Sequence, residues 1–169
     1  IPIAPRSILK SQISRASKLG LSIKCATELE FFLYANDLNE SWSKKYENLT
    51  PVSRFRSDYG IFQGTLIEDF SMRVRELVSA ADVEVEFSKP EWGLGQQEIN
   101  LRYAEALEMA DRHVLFKMAT KEIAAQQGWT ATFMAKPYID EVGSSCHIHL
   151  SLWDEQGTKP LSWCSKSPN

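Results

Sequence analysis

The segment Lys89-Pro90-Glu91-Trp92-Gly93-Leu94-Gly95-Gln96-Gln97-Glu98-Ile99-Asn100 holds two carboxylates, Glu91 and Glu98, one short loop apart. The glycines between them let backbone approach a ligand closely or take up positive φ. By itself the segment has two readings: a carboxylate site for hard cations, or a solvated turn with scattered charges. Two further stretches bear on the choice. In Ala26-Thr27-Glu28-Leu29-Glu30-Phe31-Phe32-Leu33, strand alternation puts Leu29, Phe31 and Leu33 on one face and Glu28 and Glu30 on the other. Carboxylates at i and i+2 lie roughly 7 Å apart on a strand face. Unpaired, they repel and raise each other's pKa. A strand ending in Phe-Phe-Leu does not belong wholly in water, so cations over its acidic face fit better than an edge strand with solvated glutamates. The third stretch runs from Val142 to Trp153, where a Gly143-Ser144-Ser145 turn leads into a strand. His147, His149 and Ser151 share one face; Cys146, Ile148, Leu150 and Leu152 share the other. One strand histidine is usually just hydrogen-bonded, whereas two behind a small-residue turn are better explained by a ligand.

These strands can be aimed into one cavity by a sheet whose apolar face is covered by helices. Glu28, Glu30, Glu91 and Glu98 with one imidazole, His147, form a mostly oxygen donor set. Such a set suits Mg²⁺ or Mn²⁺ better than zinc or copper. Four carboxylates in one pocket are prohibitive without cations, so two metal ions are expected. Two such ions commonly clamp a phosphoryl group during transfer.

The elements that would position these groups follow from periodicity. Ser7 to Leu19 carries Leu9, Ile13 and Ala16 at helical spacing before Gly20. Leu21 to Leu33 reads as a strand. Asn36 to Arg56 is a polar surface excursion that Trp42, Tyr46 and Phe55 could pin by packing. Thr65 and Glu68 have capping-box spacing for a helix to about Ala81, with Ile67, Phe70, Val74 and Leu77 as its stripe. Val83 to Phe87 alternates, with Glu84 and Glu86 on one face. A long helix spans about Tyr103 to Gln127, with Leu107, Ala110, Val114 and Met118 as its buried stripe. Thr130 to Lys136 is a further strand, and Asp154 to Gly157 a hairpin-type turn.

The chain has 169 residues, about one domain's worth, and a net charge of −3. With no Lys/Arg block, nucleic acid is not an expected partner. No apolar run approaches the ~18 residues of a membrane span. Cys25, Cys146 and Cys164 are odd in number and far apart, with no C-x-x-C pair. A reduced, cytoplasmic protein without structural zinc is expected.

The motifs carry a family resemblance. Glu28-Leu29-Glu30, Gly95-Gln96-Gln97-Glu98-Ile99-Asn100-Leu101-Arg102-Tyr103-Ala104, Thr132-Phe133-Met134-Ala135-Lys136-Pro137 and Gly143-Ser144-Ser145-Cys146-His147-Ile148-His149 resemble the glutamine synthetase family, in that family's order. The Ser-Ser-Cys-His-Ile-His form and the Glu-Trp-Gly turn look more like the divergent glutamine-synthetase-like γ-glutamyl ligases than the ammonia-using enzymes. The resemblance implies an α+β fold, a curved antiparallel sheet lined by the active site and backed by helices. It implies a reaction in which ATP phosphorylates a side-chain carboxylate, typically that of glutamate, and ammonia or an amine displaces phosphate. By the family pattern, Glu30, Glu91 and Glu98 would hold one metal, and Glu28 and His147 the other. Gly143 would sit against the amino-acid substrate, and Ser151, His149 and Glu86 would lie on the nucleotide side.

The pattern also has departures. Val142 stands where the ammonia-using members have Asn, and Lys89-Pro90 where they carry His residues ahead of the first loop glutamate. The resemblance further implies that residues 1–169 are part of a catalytic domain. The small N-terminal domain, a last metal glutamate and the substrate-binding arginines would lie outside it, leaving this piece inactive alone. The complete protein would be a homo-oligomeric ring. Two other readings stand beside the ligase: a non-catalytic structural relative, and a phosphagen-type kinase with a related sheet. The kinase would need a guanidino-substrate loop and a reactive cysteine, neither of which is identifiable.

Overall fold

A computed structural model describes residues 1–161. The architecture is α+β: a six-stranded antiparallel sheet organised around one long strand, with helices on one face. Helix α1 (Pro5–Ser17) precedes strand β1 (Leu21–Tyr34). Short helices α2 (Leu38–Ser43) and α3 (Ile61–Thr65) lead to α4 (Glu68–Ser79). Strands β2 (Val85–Pro90), β3 (Gln96–Leu101) and β4 (Ala104–Glu105) follow. Helix α5 (Ala106–Gln126), β5 (Thr130–Thr132) and β6 (Cys146–Asp154) complete the fold.

β1 is the shared strand. It pairs with β3 over residues 28–32 and with β4 at residues 24–25. It pairs with β6 over residues 21–29 and with β5 over residues 32–34. Phe32 is opposite both Gln96 and Thr132, so β3 and β5 lie on opposite edges of β1. The alternation has the expected phase. Leu29, Phe31 and Leu33 enter the core with Phe70, Val74, Ile99, Met109 and Phe116, leaving Glu28 and Glu30 on the other face. Phe133 joins the two layers, with ring centroids 5.1 Å from Phe31 and 6.1 Å from Phe116. Each such buried side chain contributes about 1.5–3 kcal/mol relative to exposure.

Several local expectations are corrected. The buried face of α5 is Ala106, Met109, Phe116, Thr120, Ile123 and Ala124, while Val114 and Met118 are 68% and 57% exposed. The helix carries apolar residues on both sides, so periodicity alone offers two stripes. In α4, Val78 and not Leu77 completes the stripe. The capping box does not form: α4 starts at Glu68 without a side-chain cap, and Thr65 Oγ donates to the Ile61 carbonyl. The excursion after β1 is not pinned by aromatics, since Trp42, Tyr46 and Phe55 are exposed. Buried Leu49 and polar contacts hold it instead. Asn36 Oδ1 accepts from Thr50 N at 2.6 Å, and Ser41 Oγ lies 2.9 Å from Thr130 Oγ1. The expected strand 130–136 ends at Thr132.

The helices cover β1 and β3 but not β6, whose outer face leaves Ile148 and Leu150 exposed. Cys25 and Cys146 are free thiols; Cys164 lies outside the described residues. Among the described residues no helix is long and apolar enough to cross a membrane.

The face of α5 can be tested by paired truncations. Phe116→Ala is expected to lower unfolding stability by about 3–5 kcal/mol. Met118→Ala is expected to stay within about 0.5 kcal/mol of the parent. A larger loss for Met118→Ala than for Phe116→Ala in denaturant titrations would mean the opposite stripe is buried.

Candidate functional site: a carboxylate cluster on the open sheet face

The site is built from cross-strand pairs. Glu30 is directly opposite Glu98 of β3. Glu28 is opposite Asn100 on one side and His147 of β6 on the other. Ala26 is opposite His149, and Lys24 opposite Ser151. Opposed residues of an antiparallel pair have Cβ atoms about 4.5–5.5 Å apart, and like charges there are destabilising. The loop from β2 adds Glu91. Glu30, Glu91 and Glu98 each offer an oxygen within 4.8 Å of the others.

Glu98 is 2% exposed, and its Oε1 has no hydrogen-bond partner among the described residues. An orphaned carboxylate oxygen inside a carboxylate cluster is a feature that a bound hard cation would satisfy. Burial pushes the Glu91 carboxyl above its ordinary range, with Lys89 opposing and Glu98 reinforcing that shift. Burial works against the Lys89 ammonium, but its hydrogen bonds to Glu91 and Glu98 prevail and raise its pKa. Lys89 Nζ lies 2.9 Å from Glu91 Oε1 and 3.2 Å from Glu98 Oε2.

Glu28 heads a second group. Its Oε2 lies 3.1 Å from His147 Nδ1 and its Oε1 2.9 Å from His149 Nε2. One carboxylate therefore bridges both histidines. Glu28 and His149 also line a cavity of about 540 Å³ with Glu86, Ser151, Tyr103 and Trp153. The Tyr103 and Trp153 rings stack at 6.4 Å, and Lys24 Nζ sits 4.1 Å from the Trp153 centroid. Trp153 Nε1 donates to Ser151 Oγ at 2.8 Å. A bulge between Val85 and Phe87 breaks the alternation expected there. Glu84 pairs with Arg102 at 3.2 Å while Glu86 reaches the cavity.

Gln96 joins the pieces, and spacing did not single it out as a site residue. Its Oε1 accepts from Gly93 N at 2.9 Å. Its Nε2 faces Glu30 Oε2 at 2.8 Å and the Gly143 carbonyl at 3.0 Å. Glu30 also accepts from Ser145 N at 3.1 Å and from the Ser145 hydroxyl. The turn before β6 is thus tied to the acidic pair. Two glycines make this closeness possible. Gly95 has φ +72°, and a Cβ there would lie 2.6 Å from the Leu33 carbonyl oxygen; at Gly143 it would lie 2.8 Å from that of Ala135.

All nine residues singled out in the sequence reach the open face or its rim, in two groups. Glu30, Glu91, Glu98 and Gly143 gather around Gln96 and Lys89; Glu28, Glu86, His149 and Ser151 line the aromatic cavity, and His147 joins them through Glu28. Residues missed were Lys24, Lys89, Gln96, Asn100, Tyr103, Ser145 and Trp153. Gln96 and Asn100 share Glu98's strand phase, a signal that could have found them. Asn100 Oδ1, like Glu98 Oε1, is buried and unpartnered.

Comparison with known proteins shows the family. Residues 2–167 match the family described as glutamine synthetase, catalytic domain. The chain is 40% identical over 159 residues to a γ-glutamylethanolamide synthetase of Streptomyces coelicolor, covering 94% of this chain and 34% of that protein. It is 36% identical over 156 residues to a glutamate–isopropylamine ligase of a Pseudomonas species, covering 92% and 34% respectively. The ligand-free structure of GmaS superposes with a TM-score of 0.81 at 30% identity, covering 94% of this chain and 36% of that one. The chain thus spans about a third of the length of these relatives.

Gln96→Ala should cost about 1–3 kcal/mol, because it leaves the buried Gly93 N–H without its acceptor and removes one of the donors to Glu30. Urea unfolding compared with Gln97→Ala would measure it. A loss under about 0.5 kcal/mol would show that Gln96 does not tie these segments.

Proposed function

Because this chain belongs to the glutamine synthetase catalytic-domain family, we propose that it is part of the catalytic domain of an ATP-dependent ligase. The ligase would join the side-chain carboxylate of glutamate, or of a similar acid, to an amine or ammonia. The observation that carries this reading is the convergence of Glu30, Glu91 and Glu98 within 4.8 Å, with Glu98 Oε1 buried and unpartnered. The carboxylate attacks the γ-phosphorus of ATP, and the bond to the β-phosphate oxygen breaks, giving ADP and an acyl phosphate. The amine nitrogen then attacks the acyl carbon, phosphate leaves, and the nitrogen loses a proton.

Both reactants of the first step are anions, so they approach only where charge is neutralised. Divalent cations, Mg²⁺ or Mn²⁺, supply that neutralisation when bound. Glu30, Glu91 and Glu98 would hold one near the substrate carboxylate, and Glu28 with His147 a second near the phosphates. Gln96 and Ser145 orient Glu30. Gly143 keeps the turn slim enough for an amino acid to lie against it. Glu86, His149 and Ser151 border the cavity whose stacked Tyr103 and Trp153 rings suit a planar base. A homo-oligomeric ring in the cytoplasm fits this reading.

The reading is tested in the full-length protein. ADP release is expected with glutamate, ATP and Mg²⁺ only when ammonia or a primary amine is added. A structural relative gives no ADP at all, and a kinase gives ADP without amide formation. Glu98→Ala is expected to lose one Mn²⁺ site and turnover while unfolding cooperatively. An unchanged Mn²⁺ titration would remove the metal assignment.

A further inference from the structure

Lys89 is the cation the carboxylate cluster already contains. The register places it directly opposite Glu98 on β2 and β3, on the same face of the sheet. Its ammonium binds one oxygen of Glu91 and one of Glu98, and Glu30 is not among its ion-pair partners. The Glu98 side chain is only 3% exposed, so this is not a solvated surface pair. The three carboxylates carry −3 and Lys89 offsets one unit, leaving −2.

In this same position the ammonium is bordered by an aromatic ring and by open space. Its Nζ lies 4.3 Å from the centroid of Tyr59, an attractive position for an ammonium. Tyr59 is fixed there by backbone: Tyr59 N donates to the Pro90 carbonyl at 3.1 Å, and Asp58 N to the Glu91 carbonyl at 3.3 Å. Next to Tyr59 and Lys89 a cavity of about 300 Å³ opens between α3 and β2, bordered by Gly60, Gly64 and Ser88. A lysine stem is flexible, and its head is a compact point charge with rotatable donors.

We propose that Lys89 is a displaceable resident cation: it holds the metal-free cluster together and yields to a divalent ion, thereby setting that ion's affinity. The proposal rests on the metal reading above. A divalent ion shared by Glu91 and Glu98 would sit within a few ångströms of the ammonium, where like charges repel by several kcal/mol even at an effective dielectric of about 20. Lys89 therefore swings away from the carboxylates into that cavity, which Tyr59 also lines, when the ion binds. The consequence is a site that stays assembled when empty but binds its ion weakly enough to exchange it. Selection among ions then favours those with enough charge density to displace an ammonium.

The test is Mn²⁺ titration followed by electron paramagnetic resonance in the full-length protein, comparing the parent with K89M, K89R and E98A. The parent should show a site that E98A lacks. K89M should bind Mn²⁺ at that site about tenfold or more tightly and melt at a lower temperature when metal-free. K89R, which keeps the charge, should stay near the parent. Unchanged or weaker binding in K89M, or equal tightening in K89R, overturns the proposal. If K89M does not fold, the parent alone decides: acylation of Lys89, read by mass spectrometry, should speed up on adding Mn²⁺, and an unchanged rate overturns it. If E98A titrates like the parent, the metal reading itself fails; if E98A loses a site while K89M gains nothing, only the role of Lys89 fails.

Discussion

Placing Glu30 directly across from Glu98, with Glu91 folded over the pair, is the constraint on which the site depends. Like charges in opposed sheet positions are costly, and burial makes them more so. The chain accepts that arrangement because compensation is built around it. Gln96 and Ser145 donate to Glu30, and Lys89 takes one oxygen each of Glu91 and Glu98. What stays uncompensated is the buried Glu98 Oε1.

The scaffold under this cluster is an ordinary two-layer solution. β1 sends Leu29, Phe31 and Leu33 into the helices and Glu28 and Glu30 outward. Because β1 is the central strand, its neighbours β3 and β6 bring Glu98 and His147 to the same face. The one exception is Glu91, delivered by a turn that needs Gly95 at positive φ. Charge chemistry and aromatic cavity therefore lie side by side along one strand, with Glu28 between them.

Legibility in the sequence followed the range of the physics. Period-two alternation is local, and it placed Glu28, Glu30, His147 and His149 on the correct faces. α5 was misread because Val114 and Met118 repeat at helical spacing as well as Met109 and Phe116 do; only the packing partners of Phe116 choose between them. The capping box between Thr65 and Glu68 failed because α3 already occupies Thr65, whose hydroxyl bonds back to Ile61. Packing by Trp42, Tyr46 and Phe55 is only one way to pin the segment after β1; they stay exposed, and Asn36, Ser41 and Leu49 anchor it.

The amino-acid sequence alone determined the residue types, the strand phases that put acids and imidazoles on one side, and a motif order that belongs to one family. Tertiary structure alone decided which groups meet. Pairing register made Glu30 face Glu98 and Lys89 face Glu98. Loop closure brought Gln96 to the Gly143 carbonyl, 47 positions away. Faces are set by the geometry of neighbouring peptide units, but register and closure depend on contacts between distant segments, and no local spacing encodes those.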